Sequence, residues 1–119
     1  MKVLACGSRT MPAQYMELIL KALLEVKPTL VIQGEAKGAD LLAKACAVSL
    51  NIPVECFPAD WGKHGKAAGH IRNQQMLDFG PDLVIAFYPV TGITPGTKDM
   101  VRRAIAKGIP VKHVTYGAP

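Results

Sequence analysis

Apolar and polar residues fall along this chain in blocks whose period switches between that of a strand and that of a helix. Lys2 to Cys6 (KVLAC) is a short apolar run ended by Gly7 and Ser8, which predicts a first strand. Between residues 12 and 26, Tyr15, Leu18, Ile19, Ala22, Leu23 and Val26 recur at helical spacing. Thr10 is placed to cap that helix, Pro12 suits its start, and Lys27-Pro28 stops it. Thr29 to Gln33 is continuously apolar up to its last residue, as in a parallel strand covered on both faces. A helix follows from about Ala39 to Leu50 and is closed by Asn51 and Pro53; Val54 to Phe57 form a third strand. The polar stretch 58–73 then leads into a helix ending near Gly80-Pro81, and Asp82 to Phe87 (DLVIAF) make a fourth strand. A loop over 88–97 precedes a basic helix from about Lys98 to Lys107, stopped by Gly108, and Ile109 to Val114 are the last strand.

Five strand–helix alternations predict an α/β domain over residues 1–119. Its sheet is expected to be five-stranded and parallel, in the order 3-2-1-4-5, with helices on both faces. Ligands of such sheets sit outside the carboxyl ends of the strands. The segments that follow strands 1 to 4 all carry glycine, and three of them carry Lys or Arg, so they converge on one edge as a candidate site.

The stretch 58–73, PADWGKHGKAAGHIRN, is too polar and glycine-rich for core. It holds Lys63, His64, Lys66 and His70 ahead of Arg72, against the single Asp60, which points to an anionic ligand, most simply a phosphate. Trp61 offers a face on which a base can stack, or a lid over the core. The helix beyond it presents Arg72 and Asn73 in its first turn. Gly7-Ser8-Arg9 closes strand 1, where backbone N–H groups and the Arg9 fork suit an anion. In the segment Gly34-Glu35-Ala36-Lys37-Gly38-Ala39-Asp40, the two glycines let backbone approach a ligand, while Asp40 suits a helix cap. It is neither a Walker A loop nor GxGxxG. Gly96 and Thr97 open the last helix with free donors for phosphate, Thr97 doubling as a cap. His64 and His70, six residues apart, do not match a zinc pattern. No metal and no cofactor is called for.

Composition narrows the classes further. Half of the residues are hydrophobic and 19% are charged, the balance of a globular chain. The net charge of +5 comes from scattered cations, so it permits a polyanionic partner without marking a nucleic-acid track. Only seven aromatic residues (three Phe, three Tyr, one Trp) are present, most in predicted strands and helices, which leaves no stacking platform for single strands. Cys6, Cys46 and Cys56 show no paired spacing; Cys6 and Cys56 fall in apolar strands and are expected to be reduced and buried, in keeping with a cytoplasmic location. No apolar run approaches a membrane span. Self-association into a homo-oligomer stays open.

Taken together in order, GSR at 7–9, GEAKGAD at 34–40, ADW at 59–61, HGKAAGHIRN at 64–73, DLVIAF at 82–87 and GTKDMVRRAIAKGIPV at 96–111 resemble the YspA-like branch of the SLOG superfamily. That Rossmann-like group includes the Lonely Guy phosphoribohydrolases and the Smf/DprA proteins. The resemblance implies a nucleotide or nucleotide-derived ligand, with Gly34, Gly38, Arg72, Asn73, Gly96 and Thr97 on the group's ligand-site motifs. It leaves three functions to weigh: a sensor or ligand-binding module, a nucleotide N-glycosidic-bond hydrolase, and single-stranded nucleic-acid binding. Two departures bear on the choice. The compact Gly-Gly-x-Gly-Thr turn of relatives is replaced by the longer Tyr88–Pro95 segment, and the acid of the hydrolases' GTxxE motif is Met100 here. Asp99, one residue earlier in the first turn of the predicted helix, is then the nearest carboxylate, with Arg72 as its partner among tentative catalytic groups; Glu35 and Asp60 are more distant alternatives.

Overall fold

A computed structural model describes residues 1–118. The strands are β1 (Lys2–Gly7), β2 (Leu30–Gln33), β3 (Val54–Cys56), β4 (Leu83–Pro89) and β5 (Val111–Tyr116). They form one parallel sheet in the order β3-β2-β1-β4-β5, as the alternation of elements implies. The helices are α1 (Met16–Val26), α2 (Ala39–Ser49), the single turn α3 (Trp61–His64), α4 (Ala68–Asp78) and α5 (Pro95–Ala106).

Side chains that alternate along the central strands separate two cores. Val3 and Ala5 of β1, with Ile85 and Phe87 of β4, pack under α1 and α2 against Ile19, Leu23, Ala43 and Ala47. Leu4 and Cys6, with Val84 and Ala86, face the other way and pack on Met76 and Leu77 of α4 and Met100 and Ala104 of α5. Because both faces are covered, the middle strands read as unbroken apolar runs.

The helix starts differ from the sequence pattern in three places, each for a local reason. Helix α1 starts at Met16 after a 3-10 turn over Ala13–Tyr15. Thr10 does not cap it, because its hydroxyl and amide are turned back to the Ser8 hydroxyl at 2.9 and 3.2 Å. The 58–73 stretch is mostly helical: α3 is capped by Asp60, whose Oδ1 accepts from the Lys63 amide at 3.1 Å. A 3-10 turn over Gly65–Ala67 then runs into α4 at Ala68. Arg72 and Asn73 therefore sit in the second turn of α4, not the first. Likewise α5 begins at Pro95, so Thr94 takes the cap position and Thr97 and Asp99 lie inside the helix. Cys6 and Cys46 are buried thiols, but Cys56 is exposed because β3 is the sheet edge.

Gly7 is where β1, β4 and α2 meet. A β-carbon there would overlap the Phe87 carbonyl oxygen and lie 2.6 Å from Ala39 Cβ. Overpacking of this kind costs about 1–3 kcal/mol. Gly7→Ala is expected to lower unfolding stability by that amount in urea denaturation, whereas Gly80→Ala, whose position has open space but a positive φ of 98°, tests backbone strain alone.

Candidate functional site

The carboxyl ends of β1 and β4 diverge at the switch point of the sheet, and a cavity of about 360 Å³ opens there. Its β1 side is Cys6, Gly7, Ser8, Arg9 and Thr10; its far wall is Thr94, Pro95, Gly96 and Thr97 at the start of α5. Helix α4 and the turn before it supply Lys66, Gly69, His70, Arg72 and Asn73, and Met76 and Met100 form the floor. A neighbouring chamber of about 500 Å³ is lined by Gly34, Glu35, Ala36, Lys37, Pro58 and Ala59. Arg9, Ala36, Trp61 and Arg72 are common walls of both.

Arg72 and Asn73 bind the parts together. The stripe Ala68, Arg72, Asn73, Met76 and Leu77 is the buried face of α4, so a guanidinium enters the interior at a position that would otherwise be apolar. Its Nη1 donates to the Gly34 carbonyl and its Nε to Asn73 Oδ1 at 3.2 Å. Asn73 Nδ2 in turn donates to the Gly96 carbonyl at 3.3 Å and to Asp99 Oδ2 at 3.0 Å. One dipeptide thereby holds the segments after β2 and β4 at a common height. Burial pulls the Arg72 pKa down, and the Asp40 charge works against that.

Among the described residues, Asp40 is the one carboxylate lining the strand-end cavity. It does not cap α2, whose cap residue is Gly38. Its Oδ2 accepts from the Ala36 amide at 3.3 Å, and it is 95% buried, with only 5% exposed. Burial raises its pKa to about 6, while Arg72 and the Ala36 and Gly34 amides oppose the rise. The sequence carried a signal for this: Asp40 shares a helical stripe with the buried Ala43 and Ala47, three and seven residues on.

The glycines serve contacts within the protein. A β-carbon at Gly34 would lie 2.5 Å from Arg72 Nη1 and 2.9 Å from Asp40 Oδ2. Gly38 has φ 78°, and a β-carbon there would overlap the Ser8 carbonyl and lie 2.6 Å from the Arg9 carbonyl carbon. Between them Glu35 takes a left-handed φ of 60°. It is held by its amide to Gln33 Oε1 at 2.6 Å and by its carboxylate to Lys44 at 2.9 Å. The bond from Lys44 and those with Cys56 and Gln33 keep the Glu35 pKa below its usual range.

The other anticipated residues divide. Ser8 is buried beneath the cavity and Arg9 lies over the Trp61 ring, 5.4 Å from its centroid. Lys66, Gly96 and Thr97 line the strand-end cavity, and Lys37 the neighbouring chamber. Asp60 is occupied in capping α3. Asp99 lines neither chamber; its oxygens take Asn73, Arg102 at 2.8 Å and Arg103 at 2.9 Å, with His70 Nδ1 at 3.5 Å. Burial alone would raise its pKa, but the donors from Asn73, Arg102 and Arg103 hold it below the ordinary value. Met100, at the position of the hydrolases' acid, does reach the cavity and brings a thioether there. His70, one of the cations of the 58–73 stretch, also lines the cavity, whereas Thr10, Asp40, Met76 and Thr94 line it without having been assigned to a ligand from the sequence.

Comparison with known proteins places the chain in context. The model of the family described as "YspA, cpYpsA-related SLOG family" matches residues 1–64, a span containing the segments after β1, β2 and β3. The gene 61 protein of Mycobacterium phage D29 is 41% identical over 86 residues, which cover 68% of this chain and 67% of that protein. Among solved structures, DNA processing protein A (DprA) from Streptococcus pneumoniae superposes with a TM-score of 0.60 at 19% identity, over 98% of this chain and 59% of that one. The C-terminal domain of the PF1911 hydrogenase from Pyrococcus furiosus gives 0.51 at 21% identity, over 95% and 90%. Likenesses at such identity show a shared fold. The chain spans under two thirds of the DprA chain.

Asp40 generates a pH prediction. Its folded pKa of about 6 lies above the unfolded value of about 3.9. Its contribution to stability is therefore fully present below the unfolded value and is lost as pH rises through about 6. Carboxyl-carbon NMR should show Asp40 titrating near 6. The difference in urea stability between wild type and Asp40→Asn should change across pH 4–7 in the same sense; a flat difference would contradict the assignment.

Proposed function

The chain belongs to the YspA, cpYpsA-related SLOG family, and on that premise we propose that its strand-end cavity binds a phosphate-bearing nucleotide or nucleotide-derived ligand, as a sensor or ligand-binding module. The observation that carries this reading is the meeting of Arg9, Lys66 and His70 with the start of α5 around one cavity. Pro95 has no N–H, and the amides of Gly96 and Thr97 belong to a first turn that has no intrahelical acceptors. The Thr94 side chain does not cap them; its hydroxyl pairs with that of Thr97 at 2.9 Å. Two free donors at the positive end of a helix, with Lys66 and Arg9 nearby, suit a phosphate. The apolar floor of Cys6, Met76 and Met100 suits the less polar sugar or base.

Charge-assisted hydrogen bonds contribute roughly 1.5–3 kcal/mol. Lys66→Ala is therefore expected to weaken binding of a nucleoside monophosphate by about ten-fold or more, measured by calorimetry across the four common bases. Arg72→Ala is a poorer test, because it strands the Gly34 carbonyl and Asp40 in the interior. Unchanged affinity in Lys66→Ala, with the fold intact, would remove the phosphate from this cavity.

A second reading, hydrolysis of the N-glycosidic bond, draws on one observation: Asp40 is a cavity carboxyl with a pKa near the operating range of a proton donor. Against it stands Met100, which puts a thioether where a second carboxylate would face the sugar cation that forms as the base leaves. Binding without efficient turnover is the expected result when nucleoside monophosphates are incubated with the protein and released base is followed by chromatography. Multiple turnovers abolished by Asp40→Asn would make the protein a hydrolase, and loss on Asp99→Asn with Asp40→Asn active would move the chemistry to α5.

A further inference from the structure

The two chambers differ in charge, and the second is not needed to hold a single phosphate. Arg9, Lys37 and Arg72 line the second chamber. Of its acidic neighbours, Glu35 is already paired with Lys44 at 2.9 Å. Asp40 lines the first cavity and not this chamber, and offsets the Arg72 charge. Arg9 forms no ion pair among the described residues; its guanidinium rests on the face of Trp61. Lys37 is exposed and likewise has no carboxylate within salt-bridge distance among the described residues. Two uncommitted cations thus face a chamber whose carboxylate is neutralised. That chamber shares the Arg9–Trp61 wall with the cavity assigned to the phosphate above.

We propose that the second chamber is a subsite for a second anionic group of the same ligand, held by Lys37 and Arg9, so that the ligand class is a nucleotide with two anionic groups, of which nucleoside diphosphates are the simplest members. This rests on the nucleotide reading of the first cavity and adds the charge that such a ligand carries. Trp61 is placed to sense it. It is the single tryptophan of the chain, about half exposed, and Arg9 lies over its ring, so an anion gripped by the in-plane donors of Arg9 changes the surroundings of the indole.

Intrinsic fluorescence of Trp61, with calorimetry alongside, is titrated with AMP, GMP, CMP and UMP and with the corresponding diphosphates. For the best-bound base, the diphosphate is expected to bind about ten-fold or more tightly than its monophosphate. Lys37→Ala should bring that ratio close to one. Lys112→Ala, which removes the same charge on β5 where Lys112 pairs with Glu25 at 3.1 Å, should leave the ratio as in wild type. Equal affinity for the two phosphates in wild type, an equal loss for both in Lys37→Ala, or the same collapse of the ratio in Lys112→Ala would overturn the second subsite while leaving the nucleotide reading in place. The absence of any signal from all eight compounds would overturn the nucleotide reading, and the subsite with it.

Discussion

The site depends on a cation placed inside the protein. Arg72 occupies the buried stripe of α4 and has 7% of its surface exposed. A guanidinium there is tolerated because the Gly34 carbonyl, Asn73 and the Asp40 charge surround it. The same bonds fix the ends of the sheet. Gly34 must lack a side chain, since Arg72 and Asp40 occupy the volume a β-carbon would take. Asn73 passes the constraint across to the Gly96 carbonyl and to Asp99, and Asp99 gathers Arg102 and Arg103 along α5. Side chains whose chemistry suggests a ligand thus form the frame of the cavity, and on the proposed reading the ligand-facing work falls to Arg9, Lys66 and the amides of α5.

Two carboxylates make the same point with opposite signs. Asp99 is buried among donors that favour its ionised form, so it acts as a fixed anion that ties α4 to α5. Asp40 is buried with fewer donors, and desolvation dominates. Its proton is held close to neutrality, beside a cavity floored by two thioethers and a thiol. A pocket of this kind is suited to holding a charged ligand against an apolar floor. It has one titratable carboxyl where cleavage of a ribosyl bond would use two groups in different roles.

The path from β3 to α4 shows how cavity-lining side chains are delivered by a segment with little core. Among residues 58–67 none is fully buried, and Gly65 takes a positive φ in open space. What orders the segment is local: Asp60 caps one helical turn, and Trp61 packs near Gly69 and under Arg9. That arrangement puts Trp61 and Lys66 at the rim while Arg72 anchors α4 below.

The sequence by itself determined the architecture. Apolar runs at KVLAC, LVIQ and DLVIAF, separated by helical spacing, leave a parallel sheet covered on both faces as the consistent solution, and right-handed crossovers leave few strand orders, among them the 3-2-1-4-5 that forms. It also gathered the segments at 7–9, 34–37, 58–61 and 94–97 at one edge, because strand-end loops of a parallel sheet have nowhere else to go. What it could not assign was the direction in which each polar group faces. A glycine-rich polar stretch reads as loop, yet a cap and a 3-10 turn made most of 58–73 helical and moved Arg72 and Asn73 one turn inward. Adjacent residues on a helix point about 100° apart, so Asp99 turns to the arginines while Met100 takes the cavity floor. Burial, which alone raises Asp40 and makes Arg72 a strut, is a property of the packed layers and exists only once α2 and α4 have closed over opposite faces of the sheet.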